Sequence, residues 1–402
     1  MKYQDVSGGR AVPEPLPNPY TPGQVPRVLA GRRSELARIR DQLGRVGTFG
    51  EIGGPLLVFH APRGLGKTSL LRAAQRDAEE SGFVSAWVAC SRQHPFLPEL
   101  VRAVGRALER AEVIPADESA RWHARLDRVG VQLGVPGVRV TGEVARTPPP
   151  EPAAAPIAAV EDLLHDAADR VRRRGGAGLV TFVDELHAAS ADDMSVLLNA
   201  WQNLDGDREH NPLALVTAGL PVTPEALTRA ATFGERSAFV PLDVLADPDA
   251  RAALAAPAEA LGVAWADEAL DRIVREARGH PYFLQLMGST TWAAAVPGNG
   301  DTIGLEDVVA GLPGADQQLT AMYRARWGAA TKREQEFLSA MAEAGTDNVT
   351  RAQIAAALGT DTRSISVPRE RLIEKGVIEP VGHGLVRFTM PGFAAYVRHR
   401  ND

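Results

Sequence analysis

The sequence predicts an α/β fold with a parallel sheet core, a helical lid and a C-terminal winged helix-turn-helix domain. Apolar, strand-like runs alternate with helical stretches up to about residue 245, as parallel sheets require. An eight-residue segment at 61–68 joins the first of these runs to a helix, and strand patterns return only near residue 377. These observations separate a sheet core from a helical segment and from a small terminal domain.

The core elements are predicted from their hydrophobic periodicity. The first helix follows Val28–Arg32 and takes Ser34 as its N-cap. Strands are predicted at 56–59, 84–89, 178–183, 213–216 (ending at Thr217) and 237–242. Helices are predicted at 67–80, 98–111 and 157–174, and in the lid at 248–261, 267–278, 281–296 and 305–312.

Four parts make up the predicted domain organisation. A Pro/Gly-rich extended arm covers 1–26, the sheet core covers 27–245 with an insertion at 112–156, the lid covers 246–327 and the winged helix-turn-helix covers 328–402. The insertion carries a hairpin pattern at 131–144 and a proline-rich linker at 147–152. It is either an arm that contacts a partner or DNA, or a plain solvated loop.

The last domain follows the element order of a winged helix. Helices are predicted at 332–344, 351–358 and 361–375, and strands at 377–380 and 385–388. Its predicted core consists of Ile354, Leu358, Val367, Leu372 and Ile378.

Composition limits the classes of protein that the chain can belong to. Its formal net charge is −6 with a pI near 5.9, which argues against a positive electrostatic potential over the whole molecule that would attract nucleic acid. The one cysteine, Cys90, excludes an internal disulfide and a cysteine metal cluster, and we interpret it as a core residue. Neither a signal peptide nor a membrane span is indicated, so the cytoplasm is the expected location.

The segment from Ala61 to Thr68 has the pattern of a phosphate-binding loop between a strand and a helix. It reads Ala61, Pro62, Arg63, Gly64, Leu65, Gly66, Lys67 and Thr68. Backbone N–H groups of such a loop converge on an anion, the lysine reaches the β- and γ-phosphates, and the threonine hydroxyl ligates Mg²⁺. Lysine occurs only at positions 2, 67, 332 and 375, so its use here instead of arginine supports this interpretation. The sequence therefore predicts a P-loop NTPase core that binds a nucleoside triphosphate.

Two carboxylates supply the second half of the predicted site. Asp184 and Glu185 follow an apolar run, where Asp184 would hold Mg²⁺ through water and Glu185 would polarise the attacking water. Thr217 ends the adjacent predicted strand, where its hydroxyl either bonds the γ-phosphate or the water, or only closes the strand. Capping of the next helix is the alternative role of the two acids.

Other polar residues give weaker indications. Arg236 lies between two predicted strands, where it could meet the γ-phosphate of a neighbouring subunit, and a surface arginine is the equal alternative. His187 and His280 have no second ligand at metal spacing, so we interpret both as ordinary polar contacts.

Taken in order, these motifs resemble one family over roughly residues 26 to 395. They are similar to the AAA+/STAND-type P-loop ATPases, in the branch related to archaeal ATPases and origin-recognition initiators. The segments that carry the resemblance are 28–32, the loop at 61–68, the acids at 184–185, the segment 235–239, Gly279-His280-Pro281-Tyr282 in the lid and the terminal winged helix.

The resemblance implies roles for further residues. Val28, Leu29 and Tyr282 would line the adenine pocket, Pro281 would contact the nucleotide and Thr217 would be the first sensor. The lid lacks the arginine that senses the γ-phosphate in origin initiators, and the sensor is Thr217 instead of a more typical asparagine. Both departures imply that hydrolysis of ATP to ADP and phosphate is slow or stimulated by a partner.

The sequence of the winged helix does not determine whether its partner is DNA or a protein. Arg363, Arg369, Arg371 and Arg387 suit phosphate contacts to double-stranded DNA through residues 350–390. Yet residues 331–402 hold ten Lys and Arg against nine Asp and Glu, so the domain is nearly neutral. We expect a nucleotide-driven switch that uses ATP and Mg²⁺ to present the winged helix to DNA or to a partner protein, including a second copy. The alternatives are a regulator that holds ATP without turnover and a protein-interaction scaffold.

Overall fold

The structure, a computed structural model, describes residues 15–114, 156–345, 348–382 and 384–401. The hairpin predicted at 131–144 and the linker at 147–152 lie outside these residues. The chain divides into two compact units. One combines the described part of Met1–Gly31 with Val244–Arg324, and the other combines Arg32–Asp243 with Ala325–Asp402. The arm and most of the lid therefore share one unit, and the sheet core shares the other with the winged helix.

The core contains a five-stranded parallel sheet in the order β2-β3-β4-β1-β5. Its strands are β1 (Leu57–His60), β2 (Phe83–Ala89), β3 (Gly178–Asp184), β4 (Leu213–Gly219) and β5 (Ala238–Pro241). Its helices are α1 (Arg33–Phe49), α2 (Lys67–Glu80), α3 (Phe96–Arg110), α4 (Pro156–Arg173), α5 (Ala191–Gly206) and α6 (Thr223–Ala230). The central strands β3 and β4 are buried along their whole length, as expected of strands that helices cover on both faces. The predicted α/β class is confirmed.

Several core predictions need correction. The prediction that Ser34 caps the first helix is wrong, because α1 begins at Arg33 and the Ser34 hydroxyl donates to the Glu35 carboxylate instead. Strand β4 runs to Gly219, so Thr217 lies inside the strand and pairs in register with Val58 and Val183. The interpretation of Cys90 as a core residue is confirmed: it follows β2 as a buried thiol, and burial raises its pKa to about 12.

The lid unit is built around helices. They are α7 (Asp247–Glu259), α8 (Asp267–Ala277), α9 (Pro281–Ala295) and α10 (Leu305–Gly328). Two short parallel strands, β6 (Ala264–Trp265) and β7 (Thr302–Ile303), lie in a region where no strand was predicted. Helix α10 also continues well beyond the predicted end at 312, through Pro313.

The arm packs onto the lid helices. Tyr20 is buried, its hydroxyl donates to the Leu254 carbonyl at 2.6 Å, and the Trp265 indole donates to the same hydroxyl at 2.8 Å. The Tyr20 ring also meets the Trp265 and Trp292 rings edge-on. The described part of the arm is therefore fixed by an aromatic anchor.

The terminal domain has the element order of a winged helix. It consists of α11 (Lys332–Ala344), β8 (Val349–Thr350), α12 (Arg351–Ala357), α13 (Ser366–Glu374), β9 (Ile378–Gly382), β10 (Leu385–Phe388) and α14 (Phe393–Asn401). The three strands form an antiparallel sheet in the order β8-β10-β9. Two core predictions were wrong: Val367 is 57% exposed and Leu358 is only half-buried. Helix α13 begins five residues later than predicted because Asp361 caps a turn through the amides of Arg363 and Ser364.

Over the part of the chain that the structure describes, every helix is too short or too polar to cross a membrane.

Candidate functional site

The phosphate-binding loop connects β1 to α2, as the sequence predicts. Gly64 and Gly66 both have a φ of +84°, a left-handed conformation that glycine adopts without strain. Helix α2 begins at Lys67 after Gly66 and has no side-chain cap. The N–H groups of its first turn and its positive dipole end are therefore available to an anion.

Lys67 lies inside this loop and is 5% exposed. Its Nζ donates to the carbonyls of Ala61 and Pro62, each at 2.9 Å. Burial lowers the pKa of Lys67 to about 8, although the carboxylates of Glu185 and Asp184 act in the opposite direction. A bound anion would favour the charged ammonium and so raise this pKa again.

Asp184 connects the end of β3 to the loop. Its Oδ2 accepts a hydrogen bond from the Thr68 hydroxyl at 2.6 Å, and its Oδ1 accepts one from the Glu185 amide at 2.9 Å. Burial raises the pKa of Asp184, although the bond from Thr68 works against this shift. The structure thus brings together Thr68 and Asp184, the two residues predicted to act on a metal ion.

Glu185 stands at the turn after β3 with a left-handed φ of +55°. Its Oε2 lies 3.6 Å from Nη2 of Arg63 in the loop and 3.6 Å from Nε2 of His187. The His187 side chain is 5% exposed, and its Nδ1 accepts the Leu220 amide at 3.2 Å. Burial, followed by the charges of Arg63 and Lys67, lowers the pKa of His187 to about 4, so its ring is neutral at pH 7.

Arg32 supports the loop from outside it. This residue is 5% exposed, and its Nη2 donates to the carbonyls of Leu65 at 3.0 Å and Asp243 at 2.7 Å. In the sequence, Arg32 is only the last residue of the segment 28–32 that contributes to the family resemblance. Neither Arg32 nor His187 has a sequence signal of its own, because each acts through a main-chain group that is distant along the chain.

Two predicted catalytic residues make other contacts in this structure. Thr217 is fully buried, and its hydroxyl donates to the Leu57 carbonyl at 3.2 Å within the sheet. Arg236 ends a 3-10 helix, is exposed, and holds its guanidinium 5.7 Å from the centre of the Phe233 ring. Val28, Leu29, Pro281 and Tyr282, predicted for the adenine pocket and nucleotide contact, belong to the other unit.

The oxygen donors at the loop suit one particular metal chemistry. Thr68 and Asp184 supply a hydroxyl and a carboxylate, the hard ligands that Mg²⁺ prefers. No cluster of three or more His, Cys, Asp or Glu side chains among the described residues could hold a metal by itself. This set fits Mg²⁺ bound together with phosphates and water, which is how Mg²⁺ usually binds at nucleotide sites.

Comparisons with known families agree with this geometry. The AAA ATPase domain family matches residues 28–216, and a domain of unknown function, DUF8462, matches residues 320–397. No curated protein matches the chain.

Solved structures similar to the chain share little sequence with it. A Walker-type ATPase of Pyrococcus abyssi is 13% identical and has a TM-score of 0.58, with coverage of 92% of this chain and 96% of that one. Cdc6 of Pyrobaculum aerophilum is 14% identical with a TM-score of 0.46, over 95% of this chain and 97% of that one. Orc1 of Aeropyrum pernix, solved in complex with DNA, is 15% identical with a TM-score of 0.45, over 94% and 95%.

The Pyrococcus ATPase therefore shares the fold of this chain. The family match covers the loop and both acids, and it ends at residue 216 in strand β4, one residue before Thr217. The loop lies between β1 and α2, and the acids lie at the end of β3. Residues 28–216 are therefore similar to the AAA ATPase domain, and the core has the α/β fold of a P-loop NTPase.

Proposed function

We propose that the chain binds ATP with Mg²⁺, hydrolyses it slowly to ADP and phosphate, and uses this cycle to present its winged helix to a partner protein. The observation that supports it best is the 2.6 Å hydrogen bond between Thr68 and Asp184, which joins the loop to the strand-end acids. If Asp184 and Glu185 only capped the next helix, one carboxylate would be enough, and Lys67 would not need to be buried in the loop.

Each group has a role in this proposal. The loop amides and Lys67 bind the β- and γ-phosphates, and Thr68 and Asp184 hold Mg²⁺, which neutralises phosphate charge when bound. Glu185 accepts a proton from a water molecule whose oxygen forms a bond to the γ-phosphorus. The bond from that phosphorus to the bridging oxygen breaks, and ADP leaves with the electron pair.

Other roles remain predictions from the sequence. Thr217 can serve as first sensor only if its hydroxyl exchanges the Leu57 carbonyl for a water or phosphate. The exposed Arg236 is available to a second copy of the chain as a finger that supplies charge in the transition state. The adenine pocket and the cytoplasmic location also remain predictions.

The outward face of α13 favours a protein partner over DNA. In a helix-turn-helix this second helix is the one that enters the major groove. Its exposed residues at helical spacing are Val367, Glu370, Arg371 and Glu374. Glu374 faces Arg92 at 3.7 Å, and the remaining carboxylate and apolar side chain beside a single arginine give this helix little attraction for DNA phosphates. Arg387 is also engaged, because it pairs with Glu379 on the neighbouring strand.

Matched variants test the proposal. Lys67→Ala should abolish binding of a fluorescent ATP analogue, because the ammonium that meets the phosphates is gone. Glu185→Gln should bind the analogue but release no phosphate. Lys332→Ala, at an exposed lysine, should behave as the parent in both assays.

The outcomes separate the alternatives. Equal nucleotide affinity of Lys67→Ala and the parent would refute the site. Binding without phosphate release by the parent, with and without duplex DNA, would favour a regulator that holds ATP without turnover. Tight binding of duplex DNA at physiological salt, or its stimulation of phosphate release, would assign the winged helix to DNA instead of a protein.

A further inference from the structure

His187 and Arg63 approach the same oxygen of Glu185. Both lie 3.6 Å from Oε2, one as a buried imidazole and the other as a half-exposed guanidinium of the phosphate loop. The Arg63 group belongs to a loop whose amides attract phosphate, so an incoming triphosphate competes with Glu185 for it. His187 has no such competitor, because its ring is enclosed by the protein.

The hydrogen bond from Leu220 determines where the proton of His187 resides. An amide N–H can only donate, so Nδ1 must be the unprotonated acceptor at 3.2 Å. In a neutral ring the proton is then on Nε2, which is the atom that faces Glu185. Burial of the ring, and after it the charges of Arg63, Lys67 and Arg92, oppose a second proton. The geometry therefore presents one N–H donor to the carboxylate of Glu185.

We propose that His187 is a positioning residue for Glu185: it donates from Nε2 to Oε2 and leaves Oε1 free to accept the proton of the attacking water. This inference rests on the proposed ATPase function and specifies how its general base is held. The separation of 3.6 Å exceeds hydrogen-bond length, and such contacts in ligand-free sites commonly shorten when substrate binds. Because β4 leads directly to Leu220, the ring also anchors Glu185 to the end of that strand.

Two substitutions at one position separate positioning from packing. In His187→Asn the side-chain oxygen can still accept the Leu220 amide, but the amide nitrogen falls short of Glu185. In His187→Gln the side-chain nitrogen reaches the place of Nε2 and can donate to Oε2. A purely structural role would make the shorter asparagine and the longer glutamine similarly damaging to folding, with no selective effect on kcat.

Steady-state kinetics give the first measurement. His187→Asn should lower kcat on the order of 10-fold with KM for ATP within about twofold of the parent, the size expected when an orienting partner is lost. His187→Gln should recover most of that loss. Equal kcat in the parent and His187→Asn would overturn the inference, as would a matching loss in both variants with an unchanged thermal midpoint.

Nitrogen NMR of the full chain, with its histidine rings isotopically labelled, measures the tautomer of His187 without requiring ATP hydrolysis. The signals missing from His187→Gln identify the residue among the nine histidines. In the parent at pH 7 we expect a neutral ring protonated on Nε2, and Glu185→Gln should shift that Nε2 signal. An imidazolium, an Nδ1–H ring or an unmoved signal would overturn the inference. If the parent releases no phosphate, the proposed hydrolysis fails by itself and this measurement still decides the contact.

Discussion

Arg32 lies outside the phosphate loop and fixes the conformation of the loop through hydrogen bonds to main-chain carbonyls. Its buried guanidinium joins the Leu65 carbonyl, within the loop, to the Asp243 carbonyl, which follows β5. Hydrogen bonds from a charged donor to buried carbonyls are worth about 1.5–3 kcal/mol each, because the unpaired alternative is costly. The loop conformation that would receive phosphate therefore depends on a residue that precedes the first helix.

Substituting Arg32 by lysine should weaken the loop measurably. An ammonium cannot reproduce the planar geometry of the guanidinium, so Arg32→Lys should lower the free energy of unfolding by about 2 kcal/mol. Affinity for the fluorescent ATP analogue should fall with it. Arg33→Lys, at the exposed neighbour, should leave both quantities unchanged in chemical unfolding and binding titrations. Identical behaviour of the two variants would contradict this role.

At this scale the sequence predicted the residues that share a motif and missed those that act through the main chain. Lys67, Thr68 and Asp184 meet because a strand, a loop and a helix of fixed order bring them together. His187 meets Glu185 through a left-handed turn and a bond to the Leu220 amide, neither of which has a sequence pattern. Thr217 was predicted at a strand end because the extension of β4 to Gly219 depends on pairing with β1.

At the scale of single elements, helix α11 shows how a cap can join parts of a domain. Thr331 and Glu334 form a reciprocal capping box at its first turn. Oε2 of Glu334 also accepts a hydrogen bond from Lys375, at the end of α13, at 2.6 Å. Burial acts to raise the pKa of Glu334, but the bonds from Lys375 and Thr331 outweigh it and hold the pKa below its usual value.

This shift gives the stability of the winged helix a defined pH dependence. Because the pKa of Glu334 is lower in the folded state, its contribution is complete above about pH 4.5 and is lost as the pH falls through the lowered value. Glu334→Gln should cost about 1–3 kcal/mol at pH 7, and the difference from the parent should shrink below pH 4.5. Chemical unfolding from pH 3 to 7 measures this, with Glu336→Gln as an exposed control in the same helix. A difference that stays constant down to pH 3 would be inconsistent with the ion pair.

Other elements depart from the sequence prediction for reasons of packing. Helix α10 continues through Pro313, although proline usually ends a helix. Two residues earlier, Gly311 packs closely on α9: a Cβ at this position would lie 2.7 Å from the backbone of Thr291. Proline removes only the bond to the carbonyl of Val309, a residue exposed to water. Tertiary contact between the helices thus overrides the local signal.

At the scale of the whole molecule, the alternation of strands and helices was sufficient to predict the parallel sheet, and the order of three helices and a strand pair was sufficient to predict the winged helix. Neither pattern could predict which parts share a compact unit, because that depends on surface contacts. Within the larger unit, the winged helix touches the ATPase core beside the candidate site. Arg92 after β2 faces Glu374 at 3.7 Å, an exposed pair worth about 0–1 kcal/mol. The turn at Gly376 also lies beside the core.

Gly376 lies against the two residues through which Glu185 is held. A Cβ at this position would be 3.2 Å from the Leu220 side chain and 3.6 Å from Nε of Arg63. The amide of Leu220 holds His187, and Arg63 faces Glu185 directly. We therefore expect a shift of this turn to disturb the surroundings of the proposed general base through Leu220 and Arg63.

Alanine at Gly376 should test that connection against a control with the same backbone strain. Gly376 has a φ of +65° and Gly359 one of +63°, and no described atom lies within 4 Å of a Cβ at Gly359. Both substitutions should lower the thermal midpoint, because a left-handed alanine costs about 1–2 kcal/mol. Only Gly376→Ala should also lower kcat for ATP, by about tenfold, since its Cβ presses on Leu220 and displaces the contacts of Glu185. Equal phosphate release by the two variants would show that the winged helix and the site are independent.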